Sequence, residues 1–495
     1  MDGANFIRLL EAMQYGDWLT PGVAADAHPP LYTWVAAATA WLTSPILTLH
    51  DGARLASGVF VTLALLFTAR AAHALYGADY RWAAALALLG SVGLLLRGHE
   101  MNAYTAQLAG GAMVLDGLAR LPRDSRGGWI VGAGLTVMFM ATGVMEPLAL
   151  AALAGLLPAF SPAYRDDVPR RGLVFGLLAA GVLCMLWIAL LWHRHEPLAA
   201  ALQLQRWPGW GEAAYRPKPL YVLGLLPWYT WPAWPLAGWA LYRARRQWRE
   251  PATIVPLMVL LVFLATFFVS TNPGEDKMLA ITAPMALLAA AGLMSLKRGA
   301  ANALLWFASM LFGFMALVFW VYWSAHDLAT PARLAQRLAK FGVEDVGKLR
   351  VWPLILGVTA TTAWLVFLAR VARTPLRPLL VWCAGITFVW VLLLGLFLGI
   401  FDPRLSYARV GDVLRKQVPH GECVIARPVG EQQRALLAYH SGLDLRATLS
   451  PDCHWLLVQS KRREATKPAG PGWVLRKETA RPGDREDRFR LYARN

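Results

Sequence analysis

Charge is what this sequence has least of. Only 16% of its 495 residues are Asp, Glu, Lys or Arg, against about 25% in an ordinary soluble domain. The deficit extends over most of the length, with 57% hydrophobic residues and a mean hydropathy of +0.41. It excludes an ordinary soluble globule and implies a polytopic membrane protein. Cysteine is scarce too, with 4 residues in all. Cys184 and Cys383 lie in apolar segments and read as inert core residues. No P-loop, GxSxG or CxxC pattern is present, so ATP-driven transport and nucleophile-elbow hydrolysis have no support. No cleavable signal peptide, internal repeat or low-complexity tract is visible.

The charge that is present is mostly positive: 48 Lys and Arg against 31 Asp and Glu, net +17. In a soluble chain this excess would suggest nucleic acid as a partner. In a membrane chain it follows from topology, because cytoplasmic loops collect Lys and Arg. Membrane lipids are therefore the expected surroundings, and nucleic acid is not an expected partner. The 23 Trp and 31 Pro suit the same class: Trp anchors helices at headgroup level and Pro is tolerated in packed spans.

Twelve apolar segments could span, near 52–76, 82–97, 99–119, 128–144, 146–160, 172–192, 220–241, 253–270, 278–295, 301–323, 351–370 and 378–400. Several fall short of the roughly 20 residues of a usual span, and 128–144 with 146–160 could be one span and a re-entrant helix. Alternate connections are basic: Arg70 and Arg81; Arg120, Arg123 and Arg126; Arg165, Arg170 and Arg171; Arg243, Arg245, Arg246 and Arg249; Lys297 and Arg298; Arg370, Arg373 and Arg377. These are the expected cytoplasmic loops. The remaining loops and the tail from about 402 face outside. Residues 1–51 then form an outer segment, with 31–48 along the membrane surface, and a spanning helix is expected ahead of Met1. The tail 402–495 reads as a small extramembrane α/β domain. "RLSYARVGDVLRKQV" has helical spacing, and "ECVIARP", "HWLLVQS", "GWVLRKE" and "RFRLYAR" read as short strands. If the tail faces an oxidising compartment, Cys423 and Cys453 could pair.

Three outer stretches stand out. "DGANFIRLLEAM" places Asp2 in a first helical turn, where a carboxylate suits the helix dipole; a simple cap explains the residue equally well. Phe6, Leu9, Leu10 and Met13 form a stripe that can lie on the membrane. "HPPLYTWV" fixes an extended approach, aims Tyr32 and Trp34 at the interface and leaves His28 in the loop. "FFVSTNPGEDKMLAITAP" is a tight polar turn with Lys277 at the outer end of the next helix. Lys277 is a point charge suited to a phosphate, or a snorkelling helix-end lysine. His193, His195 and Glu196 suggest a metal site only loosely, since no third ligand is fixed by spacing. No metal is assigned.

Taken in order, these stretches resemble the GT-C membrane glycosyltransferases of the protein O-mannosyltransferase type. The nearer likeness is to bacterial relatives that transfer 4-amino-4-deoxy-L-arabinose or other sugars from undecaprenyl phosphate. "DGANFIRLLEAM", "GDWLTP" and "HPPLYTW" match that group's first outer loop, and "ATGVMEP", "GLLPWYTWP" and "EDKMLAITAP" match later motifs. The resemblance implies an all-α polytopic fold with about 12 transmembrane helices here and a C-terminal α/β domain. It implies an outer loop 1–51 carrying the catalytic aspartate, a transmembrane domain 52–400 and a periplasmic domain 402–495.

By the same resemblance Asp2 is the catalytic aspartate. Lys277, Arg97 and a protonated His28 are the cations for the donor phosphate, and Tyr32, Glu100 and Asn102 line the substrate cavity. His28 stands where the group has Lys, Asn102 where it has an acid, and Thr142 where it has the Lys of a bend; Gly3 and Asn5 replace its Glu and Arg.

The implied reaction moves a sugar, with inversion, from an undecaprenyl-phosphate donor to a lipid, glycan or protein acceptor at the periplasmic face of a bacterial inner membrane. It requires no cofactor. Cations stabilise the leaving phosphate and Asp2 takes the acceptor's proton. A transporter and an inactive homologue remain alternatives. A transporter would place ionisable groups at mid-membrane, whereas Asp116 and Glu146 lie near segment ends and inverted repeats are not apparent. The topology carries its own test: an in-frame run of about 20 apolar codons upstream of Met1 is expected, and sequencing that DNA without finding one would contradict the span assignment.

Overall fold

A computed structural model describes residues 2–19, 28–194, 219–270, 274–340, 346–419, 421–446, 452–461, 472–482, 484 and 487–494. The chain divides into two compact units, Met1–Trp306 with Ala372–Cys383, and Phe307–Val371 with Ala384–Asn495.

The first unit opens with α1 (Asp2–Tyr15), α2 (Leu31–Thr43), α3 (Leu49–Tyr76), α4 (Tyr80–Leu89), α5 (Val92–Arg97) and α6 (Tyr104–Arg120). It continues through α7 (Gly127–Thr142), α8 (Met145–Phe160), α9 (Asp167–Arg194), α10 (Pro219–Tyr229), α11 (Ala233–Ala244), α12 (Pro251–Val269) and α13 (Leu279–Met294). Of the apolar stripe of α1, Phe6 and Leu9 are fully buried in the protein, while Met13 is exposed. Tertiary packing covers the buried pair, and a short helix draws most of its stability from such packing.

All twelve expected segments fall on helices, but two are broken. Segment 82–97 divides at Gly90 and Ser91, where the Gly90 carbonyl accepts from Trp382 Nε1 at 2.8 Å instead of continuing the helix. Segment 220–241 divides at Thr230–Pro232, where proline has no N–H to offer the helical ladder. Among the described residues 7 helical stretches are long and apolar enough to cross a membrane.

Small residues let the helices approach closely. Gly128 and Gly132 on α7 face Gly172 and Gly176 on α9, a small-xxx-small arrangement on both helices. A Cβ at Gly128 would lie 1.8 Å from the Gly172 oxygen, and one at Gly132 would lie 2.2 Å from the Gly176 oxygen. In a bilayer, where apolar burial gives little drive to association, such backbone contact supplies the packing.

The second unit holds most of two long apolar helices, α14 (Arg298–Asp327) and α17 (Arg377–Leu405), together with α15 (Ala332–Lys340) and α16 (Val351–Arg370). Phe312, Trp364 and Phe388 pack together, with Trp364 and Phe388 stacked at 5.4 Å. Asp327, fully buried, receives Arg350 Nη2 at 2.7 Å and lies 2.5 Å from His326 Nδ1. Arg350 also donates to the Leu396 carbonyl, so one guanidinium joins three helices.

The tail forms a five-stranded sheet of order β2-β1-β3-β5-β4. Its strands are β1 (Cys423–Ala426), β2 (Asp444–Arg446), β3 (Trp455–Lys461), β4 (Trp473–Thr479) and β5 (Asp487–Arg494). β1 pairs in parallel with β2 and β3, and β5 pairs antiparallel with β3 and β4. Helices α18 (Ala408–Gln417) and α19 (Glu431–Ser441) bury Val410, Leu414 and Leu437 against Val424, Leu457 and Phe489. Cys423 and Cys453 form a disulfide across 30 residues, which by loop-closure entropy contributes about 3–4 kcal/mol.

The glycine contact yields a graded expectation. Gly128→Ala should destabilise the first unit by about 1–3 kcal/mol, the usual cost of overpacking. Gly58→Ala in α3, which meets open space, should be neutral or stabilising by up to about 1 kcal/mol. Thermal unfolding in detergent separates them, and equal melting temperatures would contradict the packing account.

Candidate active site

The site is built around the short loop between α5 and α6. Asn102 shapes the loop's exit: its side-chain oxygen accepts from Tyr104 N at 3.0 Å, and its carbonyl accepts from the Thr105 hydroxyl at 2.7 Å. The loop is therefore pinned from within at the start of α6. From outside, Ser57 on α3 donates to the Glu100 carbonyl at 2.6 Å, and the Tyr32 hydroxyl lies 2.8 Å from Ser57 Oγ. Since Ser57 spends its proton on Glu100, Tyr32 donates to Ser57. Asn5 Nδ2 donates to the Met101 carbonyl at 2.7 Å. That bond docks α1 on the loop, so Asp2 opens a helix held at this place one turn before Asn5. The Asp2 side chain lies outside the described residues. His28 packs edge-on against the Tyr104 ring at 5.2 Å.

Arg97 ends α5 and reaches three carboxylates. Its Nη1 lies 3.2 Å from Glu100, its Nη2 3.1 Å from Glu275 and its Nε 3.4 Å from Asp276. Tyr221 on α10 donates to the other oxygen of Glu275 at 3.1 Å. Glu275, Asp276 and Lys277 belong to a 3₁₀ turn, Glu275–Met278, that leads directly into α13. Asp276 is fully buried. Lys277 turns to the other side of that turn. Its ammonium is 2.6 Å from Glu146 on α8 and donates to Ser270 Oγ at 2.9 Å.

The expected site residues Arg97, Glu100, Asn102, Tyr32, His28 and Lys277 thus gather at one end of the first unit, from chain regions up to 249 residues apart (277 minus 28). Cys423 and Cys453 belong to the second unit. His195 and Glu196 lie outside the described residues, and among those described no cluster of three His, Cys, Asp or Glu could hold a metal. Arg97 and Lys277, read from sequence as free cations for a phosphate, are each engaged by carboxylates. The set holds two cations, Arg97 and Lys277, and four carboxylates, Glu100, Glu146, Glu275 and Asp276. Within this set carboxylates outnumber cations, so a phosphate placed here would compete with them for Arg97 and Lys277.

Glu146 is the partner that sequence reasoning passed over as a carboxylate near a segment end. A signal existed in "ATGVMEP". Gly143 takes φ +110°, which ends α7, and Glu146 falls in the first turn of α8, where the helix dipole favours its charge. Asp276 carried no signal, because its burial depends on Arg97 arriving from a distant segment.

Removing one partner from a buried ionic network leaves uncompensated charge. Arg97→Gln should therefore cost about 3–5 kcal/mol. Adding Asp276→Asn should recover part of the loss, since the stranded charge goes with it. Melting temperatures of both variants in detergent test this, and a double variant less stable than Arg97→Gln would contradict the network.

No protein-family model matches this chain, and no curated protein matches it in sequence. Two solved structures share its fold over nearly the whole length. ArnT from Cupriavidus metallidurans bound to undecaprenyl phosphate superposes with a TM-score of 0.71 at 17% identity, covering 99% of this chain and 93% of that one. The same protein in the apo state gives a TM-score of 0.68 over the same shares. The helices with the small C-terminal sheet accordingly share the fold of ArnT.

Proposed function

We propose that this protein is an integral membrane glycosyltransferase that moves a sugar from a polyprenyl-phosphate donor to an acceptor at the periplasmic face of a bacterial inner membrane. One observation carries the reading. On the fold of ArnT, itself solved with undecaprenyl phosphate, residues of three separate segments meet at one end: the opening helix through Asn5, the α5–α6 loop, and the Glu275–Met278 turn. A lipid-linked donor suits a place without nucleotides, and no cofactor is needed to break a bond to a phosphate leaving group.

In this reading the phosphate lies toward Lys277, with Arg97 and a protonated His28 nearby. The bond between the anomeric carbon and the phosphate oxygen breaks, and its electron pair stays on the phosphate. Donor groups fixed in place stabilise that charge without reorganising. The acceptor hydroxyl or amine attacks from the opposite side, with inversion, and Asp2 takes its proton. Tyr32, Glu100 and Asn102 hold the cavity wall. Tyr32 acts through the loop it fixes, because its hydroxyl is engaged by Ser57, and Asn102 fixes the loop through its side-chain oxygen while its buried Nδ2 has no hydrogen-bond partner among the described residues. Lipid A, another glycan and protein are the acceptor classes. The sugar class is hexose or pentose, with 4-amino-4-deoxy-L-arabinose the nearest precedent by motif.

The test is a reconstituted transfer assay. In proteoliposomes supplied with an undecaprenyl-phosphate sugar and an acceptor lipid, the chain should transfer sugar. Asp2→Asn should slow turnover by about 10²–10⁴-fold while binding of the lipid donor is retained. Undiminished transfer by that variant would remove Asp2 from the chemistry.

A further inference from the structure

Among the described residues the Lys277–Glu146 pair is unusual in being both close and secluded. The two groups are 2.6 Å apart and their side chains are 10% and 4% exposed. Arg97, by contrast, is shared among three carboxylates of which Glu100 and Glu275 are partly open to solvent. An ammonium has three N–H donors. Ser270 accepts one of those on Lys277, and Glu146 lies beside the ammonium as its ion-pair partner. Ser270 is neutral, so among the described residues Glu146 is the group paired with that charge.

We infer that Glu146 is the counter-ion that sets how tightly Lys277 holds the lipid phosphate, and thereby the release of the spent lipid. The inference rests on the function proposed above. A polyprenyl-phosphate sugar is a phosphodiester with one negative charge. Transfer breaks its sugar–oxygen bond, leaves the electron pair on that oxygen and passes the acceptor's proton to a base. The lipid is then a phosphomonoester with a charge of about −1.5 to −2 at neutral pH. A bare, secluded ammonium would hold the product more tightly than the donor, because attraction grows with ligand charge in a site shielded from water. Glu146 divides the attraction of Lys277 and repels the product more than the donor. It therefore favours exchange of spent lipid for fresh.

Glu146 is placed to do this by the fold. It lies in the first turn of α8, behind the bend at Gly143, beside Lys277. A purely structural ion pair would behave differently, since loosening it would weaken phosphate binding along with stability.

The experiment measures binding of undecaprenyl phosphate itself, by native mass spectrometry or calorimetry on the purified full chain in nanodiscs. Glu146→Gln keeps an oxygen for Lys277 but removes the charge; it should tighten binding about tenfold. Glu146→Asp keeps the charge but draws it back by one methylene, so a two- to threefold tightening is expected. Lys277→Gln should weaken binding about tenfold or more. Equal or weaker binding in Glu146→Gln, where it folds, overturns the inference. Should it not fold, equal or weaker binding in Glu146→Asp does so. Unchanged binding in Lys277→Gln instead removes Lys277 from the phosphate site and overturns that part of the proposed function. Weakening there with no tightening in either Glu146 variant overturns only the counter-ion role.

Discussion

The Arg97 guanidinium is the contact on which the rest of the site depends. It ends one helix, yet reaches Glu100 three residues on and Glu275 and Asp276 from a turn nearly two hundred residues away. A planar fork with five N–H donors can hold several carboxylates at once, whereas an ammonium would hold them less definitely. The same fork sets a positive charge 3.4 Å from the buried Asp276. Lys277 follows Asp276 in the chain, so fixing Asp276 also directs Lys277 away toward Glu146. One cation thereby organises the turn and leaves a second poised beside it.

This arrangement depends on a scaffold that does not give. The loop carrying Glu100 is held by Ser57, Asn5 and its own Asn102. The bend that delivers Glu146 is made by Gly143 and backed by α7, which is pressed to α9 through paired glycines. A site that must stabilise a transient charge gains from groups already in position, since reorganising them during reaction costs energy. The surplus of carboxylates over cations is then part of the design of the site. It keeps the two cations partly satisfied by protein groups.

Much of the fold was legible in the sequence because membrane burial leaves a coarse, long-range signal. Apolar runs located the helices. The breaks at Gly90 and Pro232 were not seen, because hydropathy averages over a window and cannot register a carbonyl diverted to Trp382. In the tail, four strands were visible from alternation, but β2, of only 3 residues, and α19 were too short or too polar to stand out. The gathering of His28, Arg97, Asn102 and Lys277 was suggested by motif order alone. Their actual partners were not, because Glu146 and Asp276 acquire their meaning from contacts far apart in sequence. The apolar stripe of α1 shows the same limit from the other side: spacing reveals that Phe6 and Leu9 need covering, but not whether lipid or protein covers them.

In the proposed function a lipid phosphate binds at the end of the first unit where Arg97 and Lys277 lie. Photo-crosslinking with an undecaprenyl-phosphate analogue carrying a reactive group beside its phosphate, followed by peptide mapping, tests this directly. Labels should concentrate in the α5–α6 loop and the Glu275–Met278 turn and be displaced by unlabelled undecaprenyl phosphate. Labels confined to the far ends of α3 and α6, around His73–Gly77 and Arg120–Asp124, would contradict it.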